Sequence, residues 1–323
     1  MLQFCKISEK ELDAFSLKHP KGNIHQTSMW ADFQTNVAAR GKSVICGVKD
    51  GDSLRAAAVF VRQKLPMGLC WYFAPRGPLL DGPGYFRPLM DGFIQMARKE
   101  KCVFVRVEPP CGNCSFLSKW GRSAHSHYFP EDTILVNLGQ SEEDILKQMK
   151  PKGRYNIKVA EKHGVAVRTS RDVSEFFKIF VETTGRDGFR GHDQEYYQSM
   201  LDRLGKNAVL YLAELDCEVI AGIIVTFYKD TAIYYFGASS SKHREAMAPY
   251  LLQWRAMLDA KERGCRTYDL FGVAPEGDTQ HPWAGITKFK EKFGGELQSY
   301  TKAREKVLKP FWYWAMRTKK RIG

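Results

Sequence analysis

The chain has 323 residues, 44% hydrophobic and 13% aromatic, with a formal net charge of +13 at pH 7. Its length predicts two domains rather than one, and its apolar content suffices for packed cores, which excludes a disordered chain. A charge this basic points to a polyanionic partner (nucleic acid, anionic lipid or a phosphorylated substrate), with a generally basic soluble surface as the plainer alternative.

The opening stretch MLQFCKISEKELDAF lacks the regions of a signal peptide, and no run approaches the length of a membrane span, so the expected location is the cytoplasm. SLRAAAVFVRQK and LCWYFAPRG then read as a hairpin, because aromatic and β-branched residues alternate. YFRPLMDGFIQMARKEK follows with apolar residues at helical spacing, and CVFVRVEP reads as a further strand. Cys111 and Cys114 form a CxxC, with His125 and His127 beyond it, but a structural zinc site normally adds a second pair at tighter spacing. The eight cysteines read as reduced thiols rather than a disulfide framework.

SEEDILKQMKPKGRYNIKVAEKHGVAVRTS predicts two short helices and a strand, with Ser141 and Asp144 as a capping start, Pro151 as a break and Gly164 as a C-cap. Arg154, Lys158 and Lys162 recur every four residues and share one helix face, either solvated or anion-binding. A helix, a polar loop and a second helix from Asp193 to Gly205 come next.

CEVIAGIIVTFYK, TAIYYFGAS, MAPYLLQWRAMLDAKERG and CRTYDLFGV then repeat the order hairpin, helix, strand. Ala74 to Cys102 and Gly237 to Cys265 both cover 28 positions, so two copies of one α/β domain are predicted. Hairpin, helix and strand are the core of the GNAT acetyltransferase fold. Neither copy has the R/Q-x-x-G-x-G/A loop that holds the pyrophosphate of acetyl-CoA, since the corresponding loops read APRGPLLDGPG and GASSSKHREAMAP. A GNAT-like fold without CoA, and with no other cofactor, is therefore expected.

GNIHQTSMWADFQ, YFAPRGPLLDGPG, RYNIKVAEKHGV, ETTGRDGF, DQEYYQSML, the second repeat and GITKFKEKFGGE carry a resemblance that spans nearly the whole chain. The sequence resembles the FemABX family, tRNA-dependent aminoacyl and peptidyltransferases built from two tandem GNAT-like domains. It lacks a long heptad-bearing insertion and so looks like the smaller type without a helical arm. The resemblance implies a first domain of residues 1–140 completed by 301–323, and a second of 141–300. It also implies transfer of an amino acid from aminoacyl-tRNA to the stem-peptide lysine of a peptidoglycan precursor, either nucleotide-linked or lipid II. Within FKEKFGG it assigns oxyanion stabilisation to Lys290, with Phe289 shaping the surroundings. Gln34 stands where the family often has a phosphate-binding lysine, and His192 where it has an arginine before the paired tyrosines. Tyr196 matches the family.

An activated ester needs little beyond positioning, loss of a proton from the attacking amine and a donor for the oxyanion, so the absence of a catalytic triad is no obstacle. Arg76 and Asp81 flank a Gly-Pro turn, where a surface ion pair is the simpler reading. Asp269 ends a predicted strand and either orients an amine or caps the next turn. Tyr196, Tyr235 and Tyr250 are candidate donors to acceptor phosphates, or core packing. The tail KVLKPFWYWAMRTKKRIG offers four adjacent aromatics and a basic run for an anionic membrane, or a closure for the first core. Two rival classes remain at this level: a related transferase acting on a lipid headgroup or protein N-terminus, and a non-enzymatic RNA-binding protein.

Overall fold

The computed structural model describes residues 1–188 and 190–322, with side chains in the last helix described as far as residue 317. The chain divides into two compact units: Met1–Glu131 together with the chain from Tyr300 on, and Asp132–Ser299. The sequence reading gave residues 132–140 to the first domain. The strand Asp132–Asn137 instead pairs with Thr267–Gly272 and Glu296–Ser299 in the sheet of unit two, so the division falls earlier.

Unit one carries a sheet in the order Leu2–Lys6, Arg40–Asp50, Ser53–Lys64, Cys70–Ala74, Cys102–Val107, Arg304–Val307, Arg122–Ser123, with Leu79–Leu80 set beside Ser53–Lys64. Its pairs are antiparallel except Cys70–Ala74 with Cys102–Val107, which are joined by the crossover helix Phe86–Lys99. That helix buries Phe86, Leu89, Met90, Phe93, Ile94 and Ala97, a stripe at three- and four-residue spacing. The returning strand Arg304–Val307 is tied in by charge as well as by backbone pairing. Glu305 accepts from Arg106 Nε at 3.0 Å and Nη2 at 2.5 Å, and also from the Tyr313 hydroxyl, all in buried surroundings. Cys111 and Cys114 are paired with each other, and the other six cysteines are free.

Unit two repeats the plan in the order Glu296–Ser299, Asp132–Asn137, Thr267–Gly272, Thr231–Ser239, Glu218–Tyr228, Ala208–Leu215, Ala166–Ser170. Its one parallel pair, Thr231–Ser239 with Thr267–Gly272, is again joined by a helix, Ala248–Glu262. This helix is buried nearly all round because the helix Pro151–Lys162 packs against it as well as the sheet. Among the described residues no helix is long and apolar enough to cross a membrane.

Candidate active site

In unit two the parallel strands Thr231–Ser239 and Thr267–Gly272 pair only from Thr231 opposite Thr267 to Ile233 opposite Asp269. Beyond Asp269 they no longer bond to each other, and the second strand's pairing with its other neighbour, Asp132–Asn137, shifts register, placing Gly272 opposite Thr133. The turn is made at Phe271, whose φ is +59°. A bulky side chain is rarely found in that region and persists only where its surroundings hold it. Asp269 does the holding: its Oδ1 accepts the Phe271 N–H at 2.7 Å and the Thr133 hydroxyl. The Phe271 ring meets that of Tyr235 at 4.9 Å. The result is an opening between two strands, with the Gly272 carbonyl at its edge.

Lys290, at the end of the short helix Ala284–Lys290, fills that edge. Only 6% of it is exposed, and its Nζ donates to the Gly272 carbonyl at 2.7 Å. The Tyr234 ring centroid lies 5.4 Å from Nζ. Burial pushes the Lys290 ammonium down from 10.5 to about 7, with the Asp269 carboxylate opposing the shift. Burial alone pushes the Tyr234 hydroxyl up, so that group stays protonated. A lysine poised near neutrality, held by one carbonyl, can act as a cation or yield a neutral amine within the range where amide chemistry runs.

The two glycines after Phe293 have steric reasons of their own. Gly294 and Gly295 sit at φ +74° and +89°, and a Cβ on either would fall against a backbone carbonyl, that of Gln148 or of Leu135. The turn is thereby pressed onto the neighbouring helix end and the strand Asp132–Asn137. The Phe289 ring packs at 5.0 Å from Tyr250 and 5.2 Å from Phe293.

The other residues singled out by sequence divide between the two units. In unit two, His192 stacks on Tyr196 at 3.7 Å, and Tyr196, Phe236, Tyr235 and Phe271 follow in ring contact, leading to the opening beside Lys290. Tyr250 belongs to the Phe289–Phe293 cluster instead. Arg154 turns to the end of the helix Glu142–Gln148, where its Nη1 donates to the Met149 carbonyl at 2.5 Å and the Lys147 carbonyl at 3.3 Å, leaving Lys158 and Lys162 exposed. In unit one, Gln34 is 4% exposed on the helix Ser28–Thr35, and among the described residues its Nε2 has no hydrogen-bond partner. Arg76 is not in a surface ion pair. It is 6% exposed, donates to the Pro130 carbonyl at 2.8 Å and lies 3.8 Å over the Tyr300 ring, while Asp81 faces Arg55 at 3.5 Å.

Tyr234, Phe271 and Gly272 were not anticipated. The Asp-x-Phe spacing of YDLFG is the one local signal, because an aspartate often accepts the N–H two residues on. A cavity of about 690 Å³ opens beside the same short helix, lined by Lys150, Ala274, Thr287, Lys288, Glu291 and Gly294 among others. Lys290 is not part of its lining, and a 2.7 Å ion pair joins its Lys150 and Glu291. The strand opening beside Lys290 is thus a separate feature from this cavity. Among the described residues no cluster of His, Cys, Asp or Glu could hold a metal.

Two GNAT-like α/β units, one with a buried lysine at an opened parallel pair, define the class: a tandem-GNAT protein. The FemAB family model matches residues 7–127, 119–219 and 217–321, and the chain belongs to the FemAB family. It is 22% identical over 384 aligned positions to the lipid II:glycine glycyltransferase of Staphylococcus haemolyticus (strain JCSC1435), covering 92% of this chain and 90% of that protein. The Staphylococcus aureus enzyme of the same name is likewise 22% identical, over 379 positions, covering 90% and 89%. Both alignments are longer than the chain itself, so these relatives carry insertions that it lacks. Among solved structures, FemX superposes with a TM-score of 0.85 at 19% identity, covering 97% of this chain and 99% of that one. A tandem GNAT protein of the clavulanic acid pathway gives 0.59 at 14% identity, covering 95% and 98%.

Proposed function

We propose that the protein is an aminoacyltransferase that moves an amino acid from aminoacyl-tRNA to the stem-peptide lysine amine of a peptidoglycan precursor, in cell-wall bridge formation. The observation that carries this reading is Lys290: a buried lysine pushed to about 7 beside a strained strand opening. Such a group costs more in burial than its one carbonyl bond returns and suits an acyl-transfer site. Family membership and the named activity of the staphylococcal relatives support the same reaction class. The basic surface, at +13, suits a tRNA donor.

In the reaction, the neutral acceptor amine attacks the ester carbonyl, the new C–N bond forms, and the Lys290 ammonium faces the oxygen as it becomes negative. The ester C–O bond then breaks, and the departing ribose oxygen takes up a proton as the amine nitrogen gives one up. Tyr235, Tyr196 and His192 line the way in; Asp269 keeps the strand turn and the lysine charge. In unit one, the Gln34 Nε2, without a hydrogen-bond partner among the described residues, is a donor for an acceptor oxygen, and Arg76 shapes the same unit's loop. The acceptor is nucleotide-linked precursor or lipid II, and the place of work is the cytoplasm, at the inner face of the membrane when the acceptor is lipid-borne.

The test is transfer of labelled amino acid from charged tRNA to each precursor by the purified protein. Product on either precursor supports the reading. Product only on phosphatidylglycerol or a peptide N-terminus would move the enzyme to another acceptor, and RNA binding without any product would remove the enzymatic assignment.

A further inference from the structure

The helix Pro310–Ile322 lies on unit one through a single face. Tyr313 is 3% exposed and packs with Val103 and Phe104, with Trp312 and Met316 beside it. Phe311 and Trp314 point elsewhere, at 75% and 49% exposure, and their three-residue spacing makes them neighbours on the helix surface. The Arg122 and Arg317 guanidinium groups stand 4.8 Å and 5.2 Å from the Trp314 ring centroid.

A second exposed apolar group sits on a turn anchored in the same cluster. The turn Leu65–Leu69, closed by a 2.9 Å bond from the Leu65 N–H to the Leu69 carbonyl, packs both its leucines into the cluster that holds Trp312 and Tyr313. At its tip is Met67, 74% exposed with φ +62°. From Lys306 to the end the sequence carries Lys306, Lys309, Arg317, Lys319, Lys320 and Arg321 and no acidic residue; of these, the Lys319, Lys320 and Arg321 side chains lie outside the described residues.

Large apolar side chains projecting beside cations is the composition of an interfacial anchor, with rings at headgroup depth and guanidinium groups on lipid phosphates. A nucleic acid would want open ring faces for base stacking. Trp314 is already approached by two guanidinium groups, and Met67 offers no ring at all. We propose that this edge of unit one, formed by Phe311, Trp314, Met67, Arg122 and Arg317, docks the protein on an anionic phospholipid surface. The inference deepens the reading of a cell-wall enzyme at the inner membrane face and is testable apart from it.

The experiment is flotation of the full chain with vesicles of phosphatidylcholine alone and of phosphatidylcholine mixed with phosphatidylglycerol. Binding is expected to the mixture only, and to weaken with salt. Arg122→Gln with Arg317→Gln lowers the partition coefficient about 25-fold, at about fivefold for each cation. Phe311→Ser with Trp314→Ser also loses binding at unchanged charge, and Met67→Ser weakens it from a different segment, so a helix defect cannot account for both. Circular dichroism and the melting temperature should match the parent in every variant. Failure of the parent to float with the mixture overturns the inference. So does undiminished binding by the two serine variants, or displacement by a single-stranded RNA oligonucleotide that those variants no longer bind. Transfer to the soluble nucleotide-linked precursor, measured on the same proteins, reports on the enzymatic reading alone. It should be equal in all of them, and absence of product from the parent on both the soluble precursor and lipid II would sink that reading while leaving vesicle binding to be judged by itself.

Discussion

Replacing Lys290 by methionine, which keeps the length of the side chain and removes its charge, should stabilise the protein near neutral pH. A lysine that titrates near 7 when folded and at 10.5 when unfolded makes the folded state poorer by ~5 kcal/mol below pH 7, at about 1.4 kcal/mol per pH unit. Loss of the amine also strips the Gly272 carbonyl of its lysine donor, a loss of ~1–3 kcal/mol. The net gain for Lys290→Met is therefore ~2–4 kcal/mol at about pH 6. The sign of the pH dependence follows from proton counts. Between 7 and 10.5 the unfolded lysine holds a proton that the folded one has released, so the parent gains stability as pH rises through that window. By about pH 9 the burial penalty has fallen to ~2 kcal/mol, comparable with the lost carbonyl bond, and the advantage of the variant should be nearly gone. Urea unfolding of both proteins at about pH 6, 7.5 and 9 measures this directly. A difference that does not change with pH, or a variant weaker than the parent at pH 6, would mean that the amine is well solvated and the burial argument is wrong.

Lys290→Ala should lower single-turnover transfer by ~10²–10³ with little change in substrate affinity, and Phe289→Ala should do less. If the ammonium is the active form, transfer should rise with pH up to about 7 and then level off, as loss of the Lys290 proton offsets gain of neutral acceptor amine. Lys290→Arg, partly active at most, should show no such levelling, because its charge persists; a parent rate still climbing above pH 7 would assign the lysine to proton removal instead. Gly294→Ala should destabilise unit two by ~1–3 kcal/mol and reduce transfer through a displaced Lys290, read by urea unfolding and the transfer assay together. Glu305→Ala, which leaves Arg106 buried without its close carboxylate partner, should destabilise by ~3–5 kcal/mol and leave transfer by the remaining folded protein unchanged.

The repeat was legible because each copy's hairpin, helix and strand are local patterns, and helix stripes such as Phe86, Leu89, Met90 and Phe93 announce their buried face by spacing alone. What escaped was long-range. Arg76 reads locally as a turn residue near Asp81, yet its environment is set by Tyr300, which the chain brings back from more than two hundred residues away. The strand Asp132–Asn137 precedes any obvious boundary signal, and only its pairing with Thr267–Gly272 assigns it to unit two. The four tail aromatics were read together, as lipid-facing or as core. The helix separates them, since Tyr313 faces Phe104 while Phe311 and Trp314 face out. Lys290 stood out through its motif, but its depressed proton affinity comes from burial, in a place shared with the Gly272 carbonyl and the Tyr234 ring, neither of which any nearby residue predicts.

The two copies treat the same place in the fold differently, and this explains why the lysine lies in the second. In unit one the parallel pair Cys70–Ala74 and Cys102–Val107 shifts register between Cys70 and Tyr72 but stays paired as far as Ala74 opposite Val107, and the Glu108 N–H continues the bonding to Ala74 at 3.3 Å. The Glu108 carboxylate then takes the N–H groups of Tyr128 and Phe129, and a passing loop closes over the strand ends. In unit two the pairing stops at Asp269, and the strained turn at Phe271 carries the next strand residue away. Strand ends left unpaired expose backbone acceptors that water or a side chain must satisfy, and here Lys290 satisfies the one at Gly272. The same bond that completes the backbone holds the amine in a buried position, and that burial lowers its proton affinity against the pull of the Asp269 carboxylate. Opening the sheet, burying the lysine and bringing its titration near neutrality are thus one structural event, which the closed pair of unit one has no room to repeat.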